Sequence, residues 1–258
     1  MNNFEFEVSA ITNKGNSRKQ NEDNFFINNI FLSAVMADKG MKISKLITSP
    51  FVVGISDGMG GEKSGKAASA IVAENFYDCL CSGIFSDDKE ALSEGVKRIN
   101  IKVCDSVPDS GATLSAVYAN HKKLTAISVG DSRIYLYKNG KLSQLTTDHT
   151  FAQMHIDAGL LTKEQAKTSK LRHILTQHIG IPSRDMIIEP DIFEIDDISS
   201  DDAILICSDG FYELIKESEI ANILSQSCDT ALATELLMDC ALKKSGKDNI
   251  TVMVIRST

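Results

Sequence analysis

The chain has 258 residues, 43% of them hydrophobic and 24% charged, which is ordinary for a soluble globular protein and long enough for a sizeable core. Its formal charge of −8, with Lys and Arg scattered rather than run together, speaks against a nucleic-acid-binding surface and against a basic tail. No stretch approaches the ~18 uninterrupted apolar residues of a membrane span. The opening "MNNFEFEVSA" has neither a basic nor an apolar leader region, so no signal peptide is expected. The six cysteines, at positions 79, 81, 104, 207, 228 and 240, form no CxxC pair and sit mostly in apolar segments. That suits buried thiols in a reducing, cytoplasmic compartment and lacks the paired ligands of a zinc site.

In chain order, "FEFEVSAIT" (4–12) alternates apolar and polar residues and predicts a half-buried strand, with a second short one at "DNFFIN" (23–28). Asn29–Pro50 reads as an extended loop or insertion. "FVVGIS" (51–56) is a buried strand. From Lys66 to Leu80 the apolar residues fall in a helical stripe, and Asp87–Val103 places Leu92, Val96, Ile99 and Val103 on one helix face. The period then returns to two. "ATLSAVYA" (112–119), "LTAISV" (124–129) and "RIYLYK" (133–138) predict three consecutive antiparallel strands, and Asn139-Gly140 is a strong hairpin signal. Residues 148–180 are polar and helix-like in short pieces, with Gly159 and Gly180 as stops. "DMIIEPDIFEI" (185–195) is an edge strand or is split at Pro190. "AILICS" (203–208) is a buried strand, Phe211–Leu224 and Thr230–Lys244 are helices, and "NITVMVI" (249–255) is the last strand. Abundant hairpins without βαβ alternation favour antiparallel sheets with helices packed outside them, in one domain spanning 1–258.

Acids gather at the strand ends. Asp57, Asp131 and Asp209 follow apolar strands, Asp248 precedes one, and Glu22 and Asp23 lead into another. Strand ends converge at the rim of a sheet, so these carboxylates can meet although they are far apart in sequence. Each Asp-Gly alone is equally a hairpin turn. Together, mutually repelling carboxylates call for cations, and an oxygen-only donor set points to Mg²⁺ or Mn²⁺. Two such ions form a hydrolytic site for phosphoryl groups. Gly60 and Gly61 after Asp57-Gly58 let backbone approach an ion, and Ser56 and Ser208 are expected to satisfy local backbone groups.

The strings "GNSRKQNED" (15–23), "DGMGG" (57–61), "GATLSA" (111–116), "VGDSRIY" (129–135), "LTTDHT" (145–150), "CSDGFYE" (207–213) and "DNITVMVI" (248–255) occur in one order. That order resembles the metal-dependent PPM/PP2C-type protein Ser/Thr phosphatases, in their bacterial branch, from about residue 7 to the end. The resemblance implies an α+β fold, a four-layer αββα sandwich of two antiparallel sheets flanked by helices. It implies two Mg²⁺ or Mn²⁺ ions, and a third, weaker one in bacterial members. Asp57 would bridge both metals and Gly58 would offer its carbonyl to one. Asp209 and Asp248 would hold the other, Glu22 would reach its metal through water, and Asp23 would steady the water shell. Asp131 would share the third ion with Asp209, Asn249 would support Asp248, and Arg18 would grip the substrate phosphate.

The implied activity is hydrolysis of phosphoserine and phosphothreonine by direct attack of a metal-bridging hydroxide, on phosphorylated proteins that are targets of a Ser/Thr kinase. The alternatives are a pseudophosphatase binding module and a phosphoesterase for small molecules. A monomer with neither nucleic-acid nor membrane partners is expected. Met59 stands where some members have a His that serves as acid for the leaving group; methionine cannot donate a proton, so that task falls to a metal-bound water. Residues 148–180 match the family's variable flap, and none of His149, His155, His173 and His178 is expected to be catalytic.

Overall fold

The computed structural model describes residues 5–32, 40–61, 64–81, 88–120, 123–195 and 198–258. Its strands are β1 (Glu5–Asn13), β2 (Asp23–Ile27), β3 (Ile30–Phe31), β4 (Met41–Thr48), β5 (Phe51–Met59), β6 (Gly111–Ala112), β7 (Leu114–Asn120), β8 (Lys123–Val129), β9 (Arg133–Lys138), β10 (Lys141–Gln144), β11 (Asp191–Ile195), β12 (Ala203–Cys207) and β13 (Ile250–Ser257). Its helices are α1 (Ser64–Cys81), α2 (Lys89–Ser106), α3 (Phe151–Asp157), α4 (Lys163–Thr168), α5 (Asp209–Tyr212), α6 (Glu217–Gln226) and α7 (Thr230–Lys244). One sheet runs β10-β9-β12-β13-β1-β4 and the other β11-β8-β7-β5-β2-β3, with β6 paired to β5; every pairing is antiparallel.

Three apolar layers separate four layers of secondary structure. Between the sheets lie Phe6, Val8 and Ala10 of β1 with Phe25, Phe51, Val53 and Ile55 of the facing sheet. Phe6 and Phe51 meet edge to face at 5.2 Å across this gap, a contact worth roughly 0.5–1.5 kcal/mol beyond its buried area. On one outer face Val72 and Phe76 of α1 and Val96 and Ile99 of α2 cover Val52, Ala116 and Ile127. On the other, Ile220 and Leu224 of α6 and Leu237 of α7 cover Tyr135, Leu205 and Val252. The result is the αββα sandwich. The predicted face of α2 is the buried one: Leu92, Val96, Ile99 and Val103 all point inward. None of the described helices is long and apolar enough to cross a membrane.

Three expectations are corrected. Within 29–50, residues 41–48 form a strand rather than a loop, pairing with β1 along its length. Its alternation is diluted by Lys42, Ser44 and Lys45, which suits an edge strand that must not pair further; residues 33–39 lie outside the described residues. The three consecutive strands do not share one sheet. β7 and β8 pair, but the chain crosses at Gly130-Asp131 and β9 joins β12 and β10 in the other sheet. The β9–β10 hairpin turns at Asn139 and Gly140, both at positive φ (53° and 76°), as that dipeptide predicts. The helix expected over 211–224 is broken into α5 and α6. Lys216 is extended, its N–H donates to Glu219 at 3.2 Å, and the acids Glu217 and Glu219 favour a new helix N-terminus there.

Candidate active site

Strand parity builds the site. On β5, Phe51, Val53 and Ile55 face the inter-sheet core, so Asp57, two residues on, faces the same way. On β2, Phe25 and Ile27 face that core, so Asp23 does too. The two strands pair with Asp23 directly opposite Asp57. The opposing sheet obeys the same rule. Ile204 and Ile206 lead to Ser208, Met253 and Ile255 lead back to Thr251, and Val8 and Ala10 lead to Thr12. At this one rim the apolar layer becomes polar on both sides.

These polar groups bond to one another. Asp23 is buried, and its Oδ2 accepts from Ser208 Oγ at 2.9 Å and Thr251 Oγ1 at 2.7 Å. Thr251 Oγ1 lies 2.7 Å from Thr12 Oγ1, which accepts from Asn21 Nδ2 at 2.8 Å. Asp23 Oδ1 is buried with no hydrogen-bond partner. Ser208, expected to serve only local backbone, therefore reaches across the two sheets. It also accepts from Thr251 N at 3.0 Å.

The remaining acids surround this pair. Asp131, buried at the β8–β9 crossing, Asp209 at the first residue of α5 and Asp248 just before β13 all lie close enough to Asp57 or to one another to repel. Burial, reinforced by these neighbours, pushes Asp57 and Asp131 well above the usual carboxylate range. Burial likewise raises Asp23 to about 7, although the Thr251 and Ser208 hydroxyls oppose the rise. Asp209 goes to about 6, from burial first and then from Asp248 and Glu213. Only one nearby guanidinium among the predicted residues opposes this charge: exposed Arg18 donates to Asp248 Oδ2 at 2.8 Å and senses Glu22 and Asp57.

The loop carrying Arg18 and Glu22 is tied down by Asn249. Its Nδ2 donates to Lys14 O and Gln20 O, each at 2.9 Å, and its Oδ1 accepts from Glu22 N at 2.9 Å. Glu22 O accepts from Gly58 N at 3.2 Å and from the Ser69 hydroxyl of α1. Gly58 is obligatory for a spatial reason, because a Cβ there would stand 2.1 Å from Gly65 O at the start of α1. The predicted residues Arg18, Glu22, Asp23, Asp57, Gly58, Asp131, Asp209, Asp248 and Asn249 thus converge on one rim.

Several neighbours gave no sequence signal of their own. Thr12 and Thr251 share parity with inward apolar residues, and that parity alone marks them. Arg133 forms a forked ion pair with Asp148 (2.7 and 2.9 Å) and lies 3.7 Å from the ring centre of Tyr212 in α5. His173, Asp209 and Glu213 offer ligand atoms within 4.8 Å of one another, and Glu213 also pairs with Arg172.

The donor set fits hard divalent cations. It is all oxygen, it concentrates carboxylates that repel without a counter-charge, and it leaves the buried Asp23 Oδ1 unbonded. A four-layer sandwich with an acidic rim between its sheets defines the class to which the chain can be compared. A family model, Protein phosphatase 2C, matches residues 39–245. The chain is 28% identical over 254 residues to the serine/threonine phosphatase stp of Listeria welshimeri, covering 95% of this chain and 93% of that protein. The crystal structure of the PPM Ser-Thr phosphatase MsPP from Mycobacterium smegmatis, in complex with cacodylate, superposes with a TM-score of 0.76 at 27% identity, covering 96% of this chain and 97% of that one. The catalytic domain of the phosphatase PstP, in complex with two manganese ions, gives 0.72 at 25% identity, covering 98% and 99%. This chain belongs to the protein phosphatase 2C family.

Proposed function

We infer that this chain is an Mg²⁺- or Mn²⁺-dependent protein phosphatase that hydrolyses phosphoserine and phosphothreonine. The observation that carries the reading is the opposition of Asp23 and Asp57 across β2 and β5, ringed by Asp131, Asp209 and Asp248. When bound, divalent ions supply charge neutralisation and a water acidic enough to attack phosphorus at neutral pH. Asp57, Asp209, Asp248 and the Gly58 carbonyl would hold those ions directly, Glu22 would hold through water, and Asp131 would share a further, weaker position with Asp209. Asp23, locked by Ser208 and Thr251, orients water at the rim. Arg18 turns its fork from Asp248 to the phosphate oxygens. Asn249 fixes the loop from which both Glu22 and Arg18 project.

The residues 1–258 act as one catalytic domain in this reading, working as a monomer on targets of a Ser/Thr kinase. The described cysteines are all free thiols, which suits a reducing cytoplasm. The sequence keeps every acid this reading calls for, which speaks against a pseudophosphatase, and the relatives it resembles are serine/threonine phosphatases, which speaks against a small-molecule phosphoesterase. The test is turnover of p-nitrophenyl phosphate and of a phosphothreonine peptide in Mn²⁺. Hydrolysis of both, abolished by EDTA and restored by excess Mn²⁺, is expected; absence of metal-dependent turnover contradicts the reading.

A further inference from the structure

Asp131 depends on an unusual turn. It follows Gly130, where the chain leaves β8 in one sheet and enters β9 in the other. Gly130 has φ +103°, and a Cβ there would stand 2.7 Å from Thr113 Cγ2, so no side chain at that position can anchor the turn. Both backbone groups of Gly130 are met by a single residue. Gly130 N donates to His149 Nδ1 at 3.1 Å, and His149 N donates to Gly130 O at 2.9 Å.

The rest of His149 is equally committed. Gln177 Nε2 also lies 3.1 Å from Nδ1, so Nδ1 accepts and the ring proton sits on Nε2. Nε2 is 3.3 Å from Asp191 Oδ2 on β11. The His149 carbonyl accepts from Thr176 N at 2.8 Å. Gln177 in turn pairs with the Glu189 backbone through both ends of its amide, at 2.9 and 2.7 Å. His149 is half-shielded, and the preceding Asp148 clamps Arg133, two residues past Asp131. One imidazole therefore joins the acid-bearing turn to the 174–179 segment of the flap and to an edge strand.

We propose that His149 is a positioning residue that sets the Gly130–Asp131 turn at the rim of the site and couples its position to the flap. It touches neither substrate nor ion. It acts by holding the one turn whose backbone delivers Asp131 to Asp209 and Asp57. The proposal rests on the phosphatase reading for its consequence in turnover, but its effect on metal binding can be read without turnover.

The two ring nitrogens have separate isosteres. His149→Asn puts an amide oxygen near the place of Nδ1, preserving an acceptor for Gly130 N and giving up Asp191. His149→Gln reaches toward the place of Nε2 and leaves Gly130 N unmet. His149→Ala removes both. For each variant two quantities are measured: the number of Mn²⁺ ions bound at saturation, by electron paramagnetic resonance, and the Mn²⁺ dependence of phosphopeptide turnover.

The expected result is that His149→Ala and His149→Gln lose the weakest Mn²⁺ and need roughly tenfold more Mn²⁺ for half-maximal turnover, the effect typical of removing an outer support of a metal site. In both the loss falls on kcat while KM for the peptide holds, because Arg18 is untouched. His149→Asn stays close to the wild type. Three results overturn the proposal: all variants matching the wild type, all three damaged equally, or Gln rescuing where Asn does not. If His149→Ala fails to fold, the Asn and Gln pair decides, both being polar and of similar bulk. A wild-type protein that binds Mn²⁺ but turns nothing over defeats the phosphatase reading, and the Mn²⁺ count still judges His149.

Discussion

Asp23 on β2 and Asp57 on β5 are register partners, two carboxyls set directly opposite each other on neighbouring strands and facing the same side of the sheet. Like charges opposed in this way destabilise a sheet. No core-building purpose explains the arrangement, and a cation-dependent site does. Asp57→Asn relieves the repulsion and removes the central donor. Turnover with Mn²⁺ is expected to fall by at least ~10²-fold, the scale of losing a charge-stabilising contact in a transition state. Thermal unfolding in EDTA is expected to move up by about 2–4 °C, or about 1 kcal/mol. Unchanged activity, or a lower melting point in EDTA, contradicts this.

The metal-free protein has a defined pH response. Asp23 rises from 3.8 to about 7 and Asp209 to about 6, both chiefly through burial. Between the unfolded and folded values the native state holds protons that the unfolded chain has released. Stability in EDTA therefore falls as pH rises through that window and is greatest on its acid side. Melting curves from about pH 5 to about pH 8 in EDTA test this, and saturating Mn²⁺ should cancel the fall. Because cations must displace those protons, Mn²⁺ affinity should increase over the same interval.

Asn249 is buried and makes three hydrogen bonds to the backbone of residues 14–22. Asn249→Ala leaves Lys14 O, Gln20 O and Glu22 N to find other partners. At about 1 kcal/mol for each bond, a loss of roughly 1–3 kcal/mol is expected by denaturant titration. Turnover should fall with it, since the same loop presents Arg18 and Glu22. A variant of wild-type stability but low activity would show that Asn249 acts on the reaction directly.

Arg18 spends its charge on Asp248 across an ion pair that is exposed on both sides (51% and 40%) and so adds little to stability. Arg18→Lys keeps the charge and loses the fork. KM for a phosphopeptide is expected to rise roughly tenfold, about 1.4 kcal/mol, with melting temperature unchanged. A change confined to stability would remove Arg18 from the substrate's path.

Much of this was legible because the relevant signals are local. Period-two runs located β1, β7, β8 and β9, short apolar runs located β2, β5, β12 and β13, and the acids at the ends of β2, β5, β8, β12 and β13 named the rim residues. What escaped depends on partners distant in sequence. β4 carries Lys42 and Lys45 on an exposed edge, so its pattern weakens where solvent, not a core, meets its side chains. The Gly130 crossing places β9 in the second sheet, and a hairpin and a sheet change look alike when both begin with Gly-Asp. Thr12, Ser208 and Thr251 are ordinary polar residues until two sheets bring them to Asp23. The Arg133–Asp148 and His149–Gly130 contacts obey no period at all.

The central claim is that cations hold the opposed acids of the two sheets together. Anomalous scattering from a crystal soaked in Mn²⁺ tests it most directly. The account predicts two ions ~3.5–4 Å apart between the sheets, with Asp57 touching both. A rim empty of manganese at saturating concentration, or manganese bound only away from Asp57, would contradict it.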